Sequence, residues 1–297
     1  MSAFKGAGMA EARRRSRAGF LAGWLLIVWV MATGLSPAEP ALVPSAPVEE
    51  KLVYDISFLI FKNAAVGSLT MKFLPDRGLY EGVVAARTKG FIGLVSLFRQ
   101  DRYRSVMRLD GDGRLVPVEF HKEVVMGGFK SVSSTFLDYD SGMMWWSSTE
   151  SKRDDTEMEF KTHRIPPGTV YEDFISSFFN LRRGVCGPIN PGKVIRVFSI
   201  PARRWFKERQ RKPQFFSVTV GSRKTGADGL SGQDIAITVP KELFGQKVGA
   251  VRFRVREDNV PSRILVKKAI VFGDMRGMLR SRRTGSGRIA TGGPLKK

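Results

Sequence analysis

The sequence has little of what enzymes and metalloproteins use for chemistry. It contains one cysteine, Cys186, and two histidines, His121 and His163, among 297 residues. A single cysteine excludes an internal disulfide, so stability must come from packing. Neither histidine has a second ligand-type residue at a metal-binding spacing, and no glycine-rich phosphate loop, nucleophile elbow or zinc-protease signature is present. The sequence therefore predicts a protein that is not an enzyme and has no cofactor and no bound metal.

The first 38 residues have the features of an export signal. Four arginines lie between residues 13 and 17, and residues 20–35 form an uncharged, mostly apolar run. Ser36 and Ala38 then offer small side chains at the two positions that a signal peptidase recognises. We therefore predict an exported, periplasmic protein with a cleaved signal peptide. The alternative is an uncleaved helix that anchors the chain to the inner membrane, for which the apolar run is short.

Acidic residues are few relative to basic ones. The chain has 49 Lys and Arg against 28 Asp and Glu, and removal of residues 1–38 leaves 44 against 27, a net charge of +17. This excess favours anionic partners such as lipid head groups or acidic glycans, although solubility alone is an alternative explanation. Nucleic acid is not expected as a partner, because the protein is predicted to be exported. The oligomeric state is left open.

After residue 50, most of the sequence alternates between apolar and polar residues, as half-buried strands do. In the first such stretch, residues 52–61, one face carries Tyr54, Ile56, Phe58 and Ile60. Residues 90–98 fit a short helix or an apolar loop, and the polar stretch 147–162 fits an exposed hairpin or loop. We predict an all-β, predominantly antiparallel fold of ten to twelve strands, either a curved sheet or a partly open β-barrel.

Residues 166–187 are the one segment after the leader with a clear helical pattern. The large side chains at helical spacing are Phe174, Ile175, Phe178, Phe179 and Leu181. Thr169 is the predicted N-cap, Glu172 and Asp173 are placed in the first turn, and Gly184 is placed to end the helix. We predict that this central helix packs on the concave face of the sheet.

The apolar helix face either fills the core or, if the sheet is curved, closes a cavity that admits an acyl chain. The basic segment 203–212 adds two aromatic residues among cations, which suits a lipid–water interface and peripheral membrane contact. The apolar candidates for ligand binding are Phe174, Ile175, Phe178, Phe179, Trp205 and Phe206.

Arginines supply the candidates for binding an anionic head group. The stretches 102–108 and 252–256 each place three arginines on one strand face, where they repel one another unless they are paired or solvated. A solvated outer face is the alternative to an anion-binding surface. The basic candidates are Arg102, Arg104, Arg182, Arg203, Arg204, Arg252 and Arg254.

Three segments resemble domain-of-unknown-function family 3108, a group of exported bacterial proteins. They are LVYDISFLIFKNAAVGSLTM, YEDFISSFFNLRRG and VRFRVREDNVPSRILVKKAIVFGDMRGML, and the resemblance covers about residues 52–279. The positions that match the family pattern are Asp173, Ser176, Phe179 and Arg182 in the helix, and Asp258 and Pro261 in the closing strand pair. The resemblance implies a periplasmic all-β fold and no established activity.

These patterns predict a signal peptide at 1–38, a linker at 39–50, a single β-rich domain at 51–279 and a basic disordered tail at 280–297. The leading hypothesis is a non-enzymatic module that binds an amphipathic or anionic envelope component. Apolar side chains would hold a lipid-like tail and arginines the head group. The alternative is an accessory scaffold that binds another envelope protein or an acidic glycan through its basic face, with no cavity. An enzyme would require Asp173, Arg182 or Asp258 to converge in a pocket.

Overall fold

The structure is a computed structural model that describes residues 49–58, 60–152, 155–201, 214–225, 231–238, 250–270, 273–285 and 288–290. The predicted signal peptide and the basic segment 203–212 lie outside these ranges. Among the residues described, no helix is both long enough and apolar enough to cross a bilayer.

Sixteen strands make up the described part of the fold. They are β1 (Glu49–Phe58), β2 (Phe61–Leu74), β3 (Leu79–Thr88), β4 (Gln100–Leu109), β5 (Leu115–Met126), β6 (Phe129–Asp138), β7 (Met143–Lys152), β8 (Asp155–Arg164), β9 (Tyr171–Glu172), β10 (Val194–Ser199), β11 (Phe215–Thr225), β12 (Ser231–Thr238), β13 (Ala250–Val255), β14 (Pro261–Ile270), β15 (Gly273–Thr284) and β16 (Arg288–Ala290).

The strands form one large sheet in the order β8-β7-β6-β5-β4-β3-β2-β1-β15-β14-β13-β12-β11-β10-β9, with β16 paired to β15. Neighbours are antiparallel except for the short parallel pair β9–β10. The predicted all-β, mainly antiparallel fold is therefore confirmed. Within the described ranges β8 and β9, at the two ends of this order, are not hydrogen-bonded to each other, so the sheet is not closed.

Side chains bring the two ends of the sheet together without hydrogen-bonded strands. One buried cluster contains residues from both ends: Leu137, Met144, Trp146 and Ile165 from the β6–β8 end, and Tyr171 and Ile200 from the β9–β10 end. The Tyr139 hydroxyl also donates to the Tyr171 carbonyl oxygen across 3.3 Å. Apolar packing thus does at this junction what a ladder of hydrogen bonds does in a closed barrel.

Strand β1 lies in the middle of the sheet and shows the predicted alternation. Its buried residues include Tyr54, Ile56 and Phe58. The predicted continuation to Ile60 is wrong, because β1 ends at Phe58 and the Ile60 side chain is 84 % exposed.

The count of ten to twelve strands was too low because some strands bury neither face. Strand β8 is exposed along nearly its whole length and is mostly polar and charged, with Met158 and Phe160 as its two large apolar side chains. It forms a hairpin with β7, one of the two structures expected for residues 147–162. Strand β15 continues to Thr284, past the predicted start of the tail at residue 280.

Two α-helices occur in the described residues: α1 (Gly90–Val95) and α2 (Phe174–Arg182). Helix α1 is one of the two structures expected for residues 90–98. The prediction that Thr169 caps α2 is wrong. The N-cap is Asp173, and Glu172 precedes the helix in β9. Gly184 ends the helix as predicted, with φ +73° and its N–H bonded to the Leu181 carbonyl oxygen.

Candidate functional site

Helix α2 begins in a buried capping box. The Asp173 carboxylate accepts hydrogen bonds from the backbone N–H of Ile175 at 2.7 Å and of Ser176 at 3.1 Å, while the Ser176 hydroxyl oxygen accepts one from the Asp173 N–H at 3.0 Å. The Ser105 hydroxyl on β4 donates to the same carboxylate across 2.5 Å. Asp173 and Ser176, two positions of the family 3108 pattern, therefore fix the start of the helix and attach it to the sheet.

Burial raises the pKa of Asp173 to about 6, although the hydrogen bonds from Ser105, Ser176 and Ile175 favour the ionised form and oppose the rise. The carboxyl is 2 % exposed and serves as a structural cap. Asp173 is not among the residues that line the groove beside α2.

A second buried carboxylate, Glu172, ties the polar side of α2 to β5. Glu172 has no exposed surface, and it accepts hydrogen bonds from Arg114 Nε at 2.6 Å, Ser177 Oγ at 2.6 Å and Asn180 Nδ2 at 3.3 Å. Asn180 also bonds both backbone groups of Leu115, at 2.8 Å and 3.0 Å. We call Arg114, Glu172, Ser177 and Asn180, with the Leu115 backbone, the polar anchor. It holds α2 in one position along the sheet.

The polar anchor was not predicted from the sequence. Ser177 and Asn180 interrupt the apolar face at i and i+3 spacing, which is a usable but weak signal for a polar stripe. Arg114 lies 58 residues from Glu172 in the chain, so only the folded structure reveals their ion pair.

The end of α2 is held by an arginine–carboxylate cluster. Arg182 donates to both Glu50 oxygens, at 2.5 Å and 3.1 Å, and to the Asn259 carbonyl oxygen at 2.7 Å. Arg282 bridges Glu50 at 2.9 Å and Asp258 at 3.1 Å. Arg256 also pairs with Asp258, at 3.3 Å, so three guanidinium groups face two carboxylates.

This cluster contains further positions at which the sequence resembles family 3108. Arg182 and Asp258 are its members, and Glu50, only 2 % exposed, lies in what the sequence indicates as a linker. Pro261 begins β14, where a strand tolerates proline, and its carbonyl oxygen accepts a 3.0 Å hydrogen bond from Tyr54. The pattern positions therefore have structural roles in the described protein.

The apolar side of α2 has two parts. Toward β2–β5, Ile175 and Phe179 are buried with Met71, Met107 and Leu115. Helix α2 and strand β3 lie close together at Gly82. A Cβ atom at this position would lie 2.5 Å from Ile175 Cγ2, so a glycine is needed there. Of the predicted ligand-binding residues, Ile175 and Phe179 therefore belong to the core.

Toward β12 and β13, α2 leaves a groove. Its apolar and polar lining residues are Phe178, Leu181, Arg182, Ile189, Ile235, Ile237, Phe253, Val255 and Asn259. We call this set the α2 groove. It has about 310 Å³ of empty space, a figure that includes open solvent. The Arg182 guanidinium lies 5.3 Å from the centre of the Phe178 ring.

Phe174 lies beside the α2 groove without lining it. It packs partly buried between the two sides of the core, and its ring makes edge contacts with Tyr103 at 5.2 Å and Phe120 at 6.1 Å. Phe178 is thus the one predicted apolar candidate among the described residues that lines the groove. Trp205 and Phe206 lie outside the described residues.

The predicted basic candidates do not converge on the groove. Arg104 pairs with Glu81 at 3.0 Å and with Glu119 at 3.4 Å, and Arg254 pairs with Asp234 at 3.1 Å. In β13, Arg252 and Arg254 alternate with Phe253 and therefore point away from the groove that Phe253 lines.

In β4 the same alternation separates the arginines from the helix. Arg102 and Arg104 alternate with Ser105, which bonds Asp173 on α2. Arg102 and Arg252 are exposed. Among the described basic candidates, Arg182 alone lines the groove. Arg203 and Arg204 lie outside the described residues.

The titratable side chains elsewhere in the described residues do not form a metal site. No group of three or more His, Cys, Asp or Glu side chains is placed to hold a metal within the described ranges. His121 bonds Ser134 at 2.8 Å and Glu119 at 3.2 Å. Burial raises the pKa of the Cys186 thiol, which lowers the fraction of reactive thiolate.

No family model matches the chain, so the resemblance to family 3108 stays a prediction. No curated protein matches it either. Among solved structures, it is similar to the crystal structure of a beta-barrel-like protein of domain of unknown function DUF1849 from Brucella abortus. That likeness has 12 % sequence identity and a TM-score of 0.43, over 81 % of this chain and 99 % of the other. A likeness of this size carries no argument about function.

Proposed function

We propose that the protein is an exported, non-enzymatic module of the periplasm or envelope that binds an amphipathic, lipid-like ligand in the α2 groove. In this proposal α2 lies on the concave face of a curved sheet, and the groove is the gap between them. The observation that carries the proposal is the lining: seven apolar side chains surround the groove, and Arg182 and Asn259 supply its polar groups. The predicted signal peptide supports a place outside the cytoplasm.

The size of the groove limits its ligand. The 310 Å³ of empty space includes open solvent, and the lining side chains leave little more room between them than one water molecule needs. A hydrocarbon tail therefore enters only if side chains such as Phe178 move aside, and its burial would then stabilise the complex by roughly 25 cal/mol per Å² of apolar surface.

The polar end of the ligand is expected to bind through hydrogen bonds more than through charge. Arg182 shares Glu50 with Arg282, and Asp258 pairs with both Arg282 and Arg256, so three arginines face two carboxylates. The surplus cation, Arg256, does not line the groove, and Arg182, which does, is already paired with Glu50.

The alternative, a scaffold that binds an acidic partner through arginine-faced strands, has weaker support. Arg104 and Arg254, the central arginines of those strands, already neutralise neighbouring carboxylates. The groove therefore supports ligand binding better than the strand faces support a basic docking surface.

The test uses a fluorescent fatty acid, dansyl-undecanoic acid, as the probe. Ile189 lines the groove and is partly buried, so Ile189→Trp should narrow the groove and weaken probe binding at least about tenfold. Val194→Trp adds the same side chain at an exposed position of β10 outside the groove and should bind like the wild type. Organic extraction and mass spectrometry of protein purified from its native envelope should recover a lipid.

Two results would contradict the proposal. One is wild-type protein that neither carries an extractable lipid nor binds the probe. The other is an equal loss of probe binding in Ile189→Trp and Val194→Trp, which would show that the probe binds elsewhere.

A further inference from the structure

A group of exposed large apolar side chains lies around α1 and the β1–β2 turn, outside the lining of the α2 groove. Ile60, Phe91, Leu94, Leu97 and Phe98 are 84 %, 60 %, 62 %, 56 % and 57 % exposed. Ile60 lies between β1 and β2, and the others belong to α1 and the turn before β4. The Phe91 ring stacks on Phe61, which follows Ile60, with centroids 5.5 Å apart. We call these five residues the apolar tip. Contiguous apolar surface of this kind marks an interaction site.

The fold holds the tip in place by anchoring the opposite side of α1. Ile92 is buried with Ile56, Phe58, Ala64 and Ala65. Helix α1 therefore points one apolar residue inward and keeps Phe91 and Leu94 in solvent. Because Ile92 is buried against the sheet, Phe91 and Leu94 on the opposite side of α1 cannot turn inward to pack on it.

Leu97 and Phe98 adopt a backbone conformation that large side chains rarely take. Their φ angles are +53° and +50°. Backbone hydrogen bonds hold them there. The Leu97 N–H donates to the Leu94 carbonyl oxygen at 3.1 Å, and the Phe98 N–H donates to the Gly93 carbonyl oxygen at 2.5 Å. The Leu97 carbonyl oxygen accepts from the Gly127 N–H at 3.0 Å. Backbone strain kept at an exposed apolar turn is typical of functional surfaces.

The residues that flank the tip are cationic. Lys62 follows Phe61, and Arg87 and Lys89 precede α1. Between Asp55 and Asp101 the sequence has two acids, Asp76 and Glu81. Glu81 lies opposite Lys72, toward the other end of the β2–β3 hairpin. Asp101 is paired with Arg99 at 2.8 Å.

We infer that the apolar tip is a membrane-docking surface for an anionic phospholipid bilayer. Ile60, Phe91, Leu94, Leu97 and Phe98 enter the interface between head groups and acyl chains, and Lys62, Arg87 and Lys89 contact the phosphates. A bilayer fits better than a protein partner because apolar side chains flanked in the chain by Lys62, Arg87 and Lys89 match an anionic membrane surface. The inference is independent of the α2 groove and stands whether or not the groove takes a ligand.

The test is co-sedimentation of the full chain with phosphatidylcholine vesicles that contain phosphatidylglycerol. Ile60→Ser combined with Leu94→Ser should lower the partition coefficient at least about tenfold. The matched control is Met158→Ser combined with Phe160→Ser, which removes two equally exposed apolar side chains, 81 % and 63 %, from β8. The control should bind like the wild type. Circular dichroism melting should show that all three proteins fold alike.

The charge contribution has its own variant. Lys62→Gln combined with Lys89→Gln should lower binding to the anionic vesicles several-fold at low salt. The remaining binding should depend less on salt concentration than wild-type binding does. Pure phosphatidylcholine vesicles should bind all variants weakly.

Three outcomes would overturn the inference. The first is wild-type protein that ignores the anionic vesicles at low salt. The second is equal vesicle binding by wild type and Ile60→Ser/Leu94→Ser, which would place the contact elsewhere in the chain, the leader included. The third is a wild-type dimer in sedimentation velocity that the same variant converts to monomer, since the tip would then be a self-association face.

Discussion

The two sides of helix α2 are held to the sheet in different ways. On one side, the polar anchor fixes the helix through a carboxylate with no exposed surface and through Asn180, which bonds the backbone of β5 in both directions. On the other side, Phe178 and Leu181 meet β12 and β13 through apolar contacts that leave a groove, and Arg182, at the end of the helix, adds hydrogen bonds to Glu50 and Asn259. Hydrogen bonds require a fixed distance and angle, whereas apolar contacts can accommodate an empty space or a bound ligand. A ligand is therefore expected on the side that lacks the polar anchor.

The largest expected effect comes from breaking the polar anchor. Glu172→Ala leaves Arg114, Ser177 and Asn180 without their shared acceptor, and should lower the free energy of unfolding by about 3–5 kcal/mol. Urea denaturation measures the change. The control is Glu257→Ala, which removes an exposed ion pair with Arg223 and should cost less than about 1 kcal/mol. Equal losses in the two variants would show that the anchor does not hold the helix.

The next effect is a pH dependence from Asp173. The unfolded carboxyl releases its proton near its ordinary pKa of 3.8, whereas the folded one keeps it to about 6. Between these values the folded state binds more protons, so this group's contribution to stability is complete at low pH and is lost as the pH rises toward 6. Asp173→Asn keeps an oxygen acceptor for the cap and removes the titration.

Urea denaturation of both proteins from pH 4 to pH 7 gives the measurement. Relative to Asp173→Asn, the wild type should lose up to roughly 3 kcal/mol over this range. The carboxylates of Glu81 and Glu119, whose pKa values are held low by arginines, titrate in both proteins and cancel in the difference. Parallel profiles would show that the Asp173 carboxyl titrates alike in the folded and unfolded states, with no raised pKa in the folded protein.

The smallest effect is expected on the groove side. Phe178 is partly buried and lines the α2 groove, so Phe178→Ala should lower the free energy of unfolding by about 1–2 kcal/mol, less than full burial would imply. The same change enlarges the groove and should alter binding of dansyl-undecanoic acid. Urea denaturation and fluorescence titration measure the two effects. A loss as large as that of Glu172→Ala would remove the distinction between the two sides of the helix.

Much of the fold could be predicted because the signals are local. The alternation in β1 and the apolar spacing in α2 each depend on residues within one element. The N-cap was placed wrongly at Thr169 because a threonine before an apolar run is a valid cap by itself. Only the pairing of Tyr171 and Glu172 with β10 shows that the chain is still a strand there.

The site was harder to predict because it depends on pairs that are distant in sequence. Glu50 and Arg182 are 132 residues apart, and Glu50 lies in a stretch that its prolines mark as linker. The arginine-faced strands were identified correctly as patterns. Their partners, Glu81, Glu119 and Asp234, become visible only when the strands are aligned side by side.

By itself, the sequence determined the all-β class, the position of the apolar helix and its glycine end, because hydropathy period and backbone preference act over a few residues. The tertiary structure decided which helix residues are core, which line a groove and which arginines are already neutralised. It also decided that Ile60 and the α1 turn stay in solvent. These outcomes depend on which strands lie next to one another, and that is set by the packing of the whole sheet.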